Sequence, residues 1–114
     1  MTKRKIFIAF KFLKKKGFKK RSYERNGDID IIYCLNSSAI EVHYILDVSF
    51  SRVLFLIVSV NGYRMSLFEN KLFDKDKIKD LKRHIEIHSN SEEQQLQDYA
   101  AFIKENINII CWLL

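Results

Sequence analysis

The chain has 114 residues, 47% apolar and 13% aromatic, no proline, three glycines and a formal net charge of +6. That length suits one domain, 1–114, whose core is large enough to need no metal or disulfide staples, and the apolar content excludes a disordered polycation. The charge is uneven: residues 1–27 hold eleven Lys or Arg against one acid, Glu24, a net of +10, whereas residues 28–114 hold nine bases and thirteen acids, a net of −4.

The first element predicted is a helix over residues 3–16, because Ile6, Ala9, Phe10 and Leu13 recur at spacings of three and four. Lys14, Lys15 and Lys16 suit its C-terminal dipole, and Gly17 suits the left-handed cap position. Five strands follow. Phe18–Arg25 is largely polar and reads as an edge strand, with lysines that discourage sheet-to-sheet pairing. Asn26-Gly27 is a hairpin signal, leading to Asp28–Leu35. Asn36-Ser37-Ser38 reads as a turn before Ala39–Val48, where Ile40, Val42 and Tyr44 alternate with Glu41 and His43. After a short connection at Ser49–Arg52, Val53–Val60 is apolar at almost every position, as a strand covered on both faces would be. A second hairpin signal, Asn61-Gly62, precedes Tyr63–Phe68.

The last third reads as helical. Asp74 or Asp76 caps a helix running to about His88, with Ile78, Leu81 and Ile85 inward, and Ser91 with Gln94 makes a capping box for a second helix. Helical spacing then runs through Leu96, Tyr99, Ala100, Ile103, Ile107, Ile110 and Leu114. The apolar end, Ile107–Leu114, fits a last helical turn, a final strand or a surface for another chain. The fold class expected is α+β: an N-terminal helix, a mainly antiparallel sheet of about five strands, and two C-terminal helices packed on it. Antiparallel order follows from the short connections, because parallel strands need a crossover of about a dozen residues.

No targeting or membrane segment is expected. Lys11 cuts the Ile6–Phe10 run too short for a signal peptide, and Val53–Val60 falls well below the roughly 20 residues a span requires. Cys34 and Cys111, without a framework of other cysteines, fit reduced thiols in a cytoplasmic protein.

Three groups of residues are candidates for chemistry. Lys14, Lys15, Lys19, Lys20 and Arg21, with Tyr23 as an aromatic anchor, form a basic surface that attracts anionic partners. The phenylalanines interleaved with these lysines also suit stacking on nucleic-acid bases, although on a helix they fill a core and the lysines form its solvated face. Asp28-Ile29-Asp30 and then Glu41-Val42-His43 resemble the core of the PD-(D/E)XK nucleases, an acid on one strand followed by Glu-x-Lys on the next. That resemblance implies Asp30 and Glu41 as ligands of a divalent cation, with His43 standing where the family carries lysine. His84 and His88 share a helix face at the spacing of metal ligands, but Ile85 occupies the position where zincins carry glutamate, so the pair reads as exposed. Gly-x-Ser-x-Gly and phosphate-loop motifs are absent from the sequence.

The layout also resembles a wider family. Leu13-Lys14-Lys15-Lys16-Gly17-Phe18 after a helix, then Ile31-Ile32-Tyr33, Val42-His43-Tyr44 and Asp98-Tyr99-Ala100, is similar to the small single-domain immunity proteins of bacterial polymorphic-toxin and contact-dependent growth inhibition systems. The resemblance implies a cytoplasmic, non-enzymatic inhibitor that binds one toxin domain. It would do so through the basic face or through an acidic end around Glu86, Glu92, Glu93 and Asp98. This reading assigns no catalytic residue, metal or cofactor, leaves monomer or homodimer open, and keeps nucleic-acid binding and a metal-dependent nuclease as alternatives.

Overall fold

A computed structural model describes residues 1–112. The element order is α1 (Lys3–Ala9), α2 (Phe12–Lys15), β1 (Lys19–Arg25), β2 (Asp28–Leu35), β3 (Ser38–Leu46), β4 (Arg52–Val60), β5 (Tyr63–Ser66), α3 (Lys75–His88), α4 (Glu92–Glu105) and α5 (Ile107–Trp112). The strands form an antiparallel meander in the order β1-β2-β3-β4-β5. The fold is α+β, with an N-terminal helical segment and the C-terminal helices packed on the sheet.

The basic N-terminal helix is broken in two. In a straight helix Phe10 and Phe12 lie about 200° apart and could not both face the core. Instead Phe10 closes α1, the Leu13 amide donates to the Phe10 carbonyl at 3.0 Å, and the chain turns before α2. Phe10 and Leu13 are then fully buried, and Phe12 packs against the core with its ring 6.1 Å from that of Phe10. Gly17 ends α2 at φ +96°; its amide donates to Lys14 and that of Phe18 to Leu13, which is the Schellman pattern.

Both Asn-Gly pairs take positive φ at both residues, as type I′ hairpin turns require. The β3–β4 connection differs from expectation. Strand β3 stops at Leu46, because Asp47 gathers the next residues: its carboxylate accepts from the Ser49 amide (2.9 Å), the Ser49 hydroxyl (2.6 Å) and the Ser51 amide (3.3 Å). Val48 is therefore not a strand residue but the loop tip, 99% exposed, with Phe50 beside it 87% exposed and at φ +61°. Strand β5 likewise stops at Ser66. A 3-10 turn over Leu67–Glu69 sends Leu67 into the core, and the buried Asn70 amide donates to the carbonyls of Val58 and Met65.

A single apolar cluster joins Ile6, Phe10 and Leu13 to the inner residues of the sheet and to Ile103 and Ile110. Tyr99 of α4 donates to the Leu54 carbonyl, and Phe10 packs on Tyr33. Asp74 caps α3 and Ser91 caps α4, but Gln94 turns its side chain to Asp98 instead of completing a capping box. Asn106 interrupts the last helix, its side chain donating to the Phe102 carbonyl, so the apolar end up to Trp112 is a short third helix. Leu113 and Leu114, which the expectation for that end included, lie outside the described residues.

The largest correction concerns β4. Its inner residues, Leu54, Leu56, Val58 and Val60, are buried, whereas Val53, Phe55 and Ile57 on the opposite side are only half-buried. The helices cover one face of the sheet; among the described residues nothing covers the other. The continuous apolar run reflects lateral shielding by neighbouring strands.

Gly17→Ala tests the helix ending. The added Cβ would meet only Leu35 Cδ1, at an ordinary 3.5 Å, so the cost is conformational. A loss of about 1 kcal/mol is expected in denaturant unfolding; an unchanged midpoint would contradict the left-handed cap.

Candidate functional site

The uncovered sheet face carries the most organised polar cluster. Cross-strand pairing places His43 on β3 directly opposite Asp30 on β2 and Phe55 on β4. His43 Nδ1 lies 2.6 Å from Asp30 Oδ1 and Nε2 lies 2.9 Å from Glu41 Oε1. Phe55 stacks on the imidazole, with centroids 5.1 Å apart and planes at 20°. Arg64 on β5 reaches across β4 to grip Glu41 with two bonds, Nε to Oε2 at 2.7 Å and Nη2 to Oε1 at 2.8 Å. Such a fork fits a carboxylate's two oxygens. Glu41 is thereby buried on a face that is otherwise open.

The Arg64 hydrogen bonds, and after them the one to His43, hold the Glu41 carboxyl below its ordinary value of 4.5, against burial, which raises it. The cluster is therefore closed on itself. Asp30 and Glu41 come together as the nuclease resemblance requires, but His43 lies between them and Arg64 takes both Glu41 oxygens. Among the described residues no group of three or more His, Cys, Asp and Glu is placed to hold a metal ion. His84 and His88 are adjacent on α3, rings 5.2 Å apart and both exposed, with His84 3.5 Å from Asp98.

The basic residues do not form one patch. Strand alternation sends Lys20 to the helix side with Tyr33, and Lys19, Arg21, Tyr23 and Arg25 to the uncovered side, opposite Cys34, Ile32, Asp30 and Asp28. Lys14, Lys19 and Lys20 border a cavity between α1, α2 and the start of β1. Lys15 lies in a different groove, beside Phe12 and Lys104. All of β1 is exposed, as an edge strand, and Tyr23 is 55% exposed. The acidic end is partly used internally: Lys5 pairs with Glu93, and Asp98 accepts from Ser89 and Gln94.

Arg64 and Phe55 are the site residues that the sequence reading missed. Neither stands in a motif; the signal available was that both share the outward phase of alternation with Glu41 and His43 across neighbouring strands. No family model, curated protein or solved structure matches the chain.

Replacing Glu41 by Gln should cost about 1–2 kcal/mol at pH 7, because Arg64 is more than half exposed and the pair is partly screened. A carboxylate whose folded pKa is lowered adds stability above its unfolded value and loses it as pH falls through the folded one. The difference between wild type and E41Q should therefore shrink as pH drops below 4.5. Equal stability of the two at pH 7 would contradict the cluster.

Proposed function

We propose that this chain is a non-enzymatic protein-binding domain, an immunity protein that binds and neutralises a bacterial toxin domain through the uncovered face of its sheet and the adjoining edge strand β1. The observation that carries the reading is the one-sided sheet. On its open side Ile32, Ile45, Val53, Phe55 and Ile57 are half-buried, and Lys19, Arg21, Tyr23 and Arg25 line the β1 edge, all exposed. Flat surfaces with aromatic and arginine anchors are where binding energy concentrates in protein interfaces. The polar groups at the centre are hydrogen-bonded to one another, so a partner that docks over them meets groups already partnered. Cations at the edge favour encounter with an acidic toxin surface, while Tyr23 and Phe55 supply contact that outlasts encounter.

The test is to co-express the chain with each toxin-like reading frame that neighbours its gene. The wild type should restore growth, and Tyr23→Ala should weaken the protection. Reversing Lys19 and Arg21 to Glu should slow association about tenfold at low salt, with a smaller effect at high salt. An unchanged rate would contradict the basic edge, and toxicity undiminished by the wild type would contradict the immunity reading.

One observation favours a second reading, nucleic-acid binding: Lys14, Lys19 and Lys20 have no acidic partner among the described residues. That reading predicts binding of arbitrary duplex or single strands that weakens steeply between 50 and 200 mM salt, as counterion release requires. No retention at low salt would exclude it.

A further inference from the structure

The cavity between α1, α2 and the start of β1 has the attributes of a ligand site. Its volume is about 310 Å³, at the lower end of the range for small-molecule pockets. Its walls are aromatic: Phe10, Phe18 and Tyr33 are buried and Phe7 is half-buried. Four exposed lysines, Lys11, Lys14, Lys19 and Lys20, border it. Lys3, Lys5, Arg52 and Arg64 each have a carboxylate partner, but none of these four has one among the described residues. One of the four is already positioned, since Lys20 Nζ lies 3.6 Å from the centroid of the Phe7 ring.

Tyr33 belongs to the apolar wall, with its hydroxyl shut away from the open space. It is 4% exposed, it lines the cavity, and its hydroxyl has no hydrogen-bond partner among the described residues. A buried donor without an acceptor is costly, and such groups are rare in folded proteins. Burial raises its pKa well above tyrosine's ordinary 10.0, so the hydroxyl keeps its proton and stays a donor. An apolar wall and unpaired cations at the mouth together define the complement of one kind of molecule.

We propose that this cavity binds a small organic anion, its one- or two-ring apolar body seated among Phe7, Phe10, Phe18 and the Tyr33 ring, and its carboxylate or phosphate head held by the lysines. The site lies on the helix side at the start of β1 and shares only Lys19 with the edge of the uncovered face, and it does not depend on the protein-partner reading. Binding here requires no covalent step.

The experiment is an amide-resolved NMR titration of the full chain with 1-naphthoate, 1-naphthyl phosphate, the neutral 1-naphthalenemethanol, and inorganic phosphate alone. The naphthyl anions should shift the amides of residues 7–20 and of Tyr33 saturably, and the neutral analogue should bind about tenfold more weakly. Whichever anion binds tighter identifies the head; either result supports the site. Lys14→Gln combined with Lys20→Gln should weaken the anions but not the neutral analogue. The proposal is overturned if no naphthyl anion shifts these amides, if the neutral analogue binds as tightly as the anions, if inorganic phosphate alone reproduces the shifts, if they spread over all lysines without saturating, or if the double lysine variant binds the anions unchanged.

Discussion

The structure depends on one constraint: among the described residues, all helices are available to one side of the sheet and none to the other. A meander joined by tight hairpins has no crossover segment that could carry a helix to the second face. The helices come from the two ends of the chain, and both ends feed the same apolar cluster, in which Phe10 meets Tyr33 and Tyr99 meets Leu54. Ile29, Ile31, Ile40, Val42, Leu56 and Val58 are buried beneath them. What remains is a sheet face that must hold its own polar groups without help from a second layer.

That requirement accounts for the Asp30–His43–Glu41–Arg64 cluster. A lone carboxylate buried at Glu41 would be costly. Here it is met by a bidentate guanidinium and an imidazole, and the imidazole is itself held between Asp30 and the ring of Phe55. The same cluster keeps the open face from being a simple apolar patch and fixes the rotamers of the groups that face outward. At the rim the β3–β4 loop projects Val48 and Phe50, held by the Asp47 side chain rather than by core packing.

Most elements were legible in the sequence because their signals are local. Asn-Gly pairs, Gly17 and the aspartate and serine caps each act within a few residues, and the structure places all of them in those roles. What was illegible depended on tertiary context. Periodicity alone reads residues 3–16 as one helix; the break arises because Phe10, Phe12 and Leu13 all pack inward. The apolar run at β4 reads as doubly covered, yet half of its residues are shielded only from the sides. The basic run misled in a physical way: consecutive residues on a strand point to opposite faces, so Lys20 and Arg21, adjacent in sequence, lie on different sides of the sheet. The candidate site was legible only in part, since Asp30, Glu41 and His43 stand in a recognisable spacing, whereas Arg64 joins them through sheet order alone.

The most direct test of the account is the solvent exposure of alternate side chains along β4, read by paramagnetic relaxation from a soluble neutral probe on the free chain. The account predicts strong broadening at Val53, Phe55 and Ile57 and little at Leu54, Leu56 and Val58. Equal protection of both sets would mean that the second face is covered, by a further copy of the chain or by a different packing. The open sheet face would then not be the surface on which this protein works.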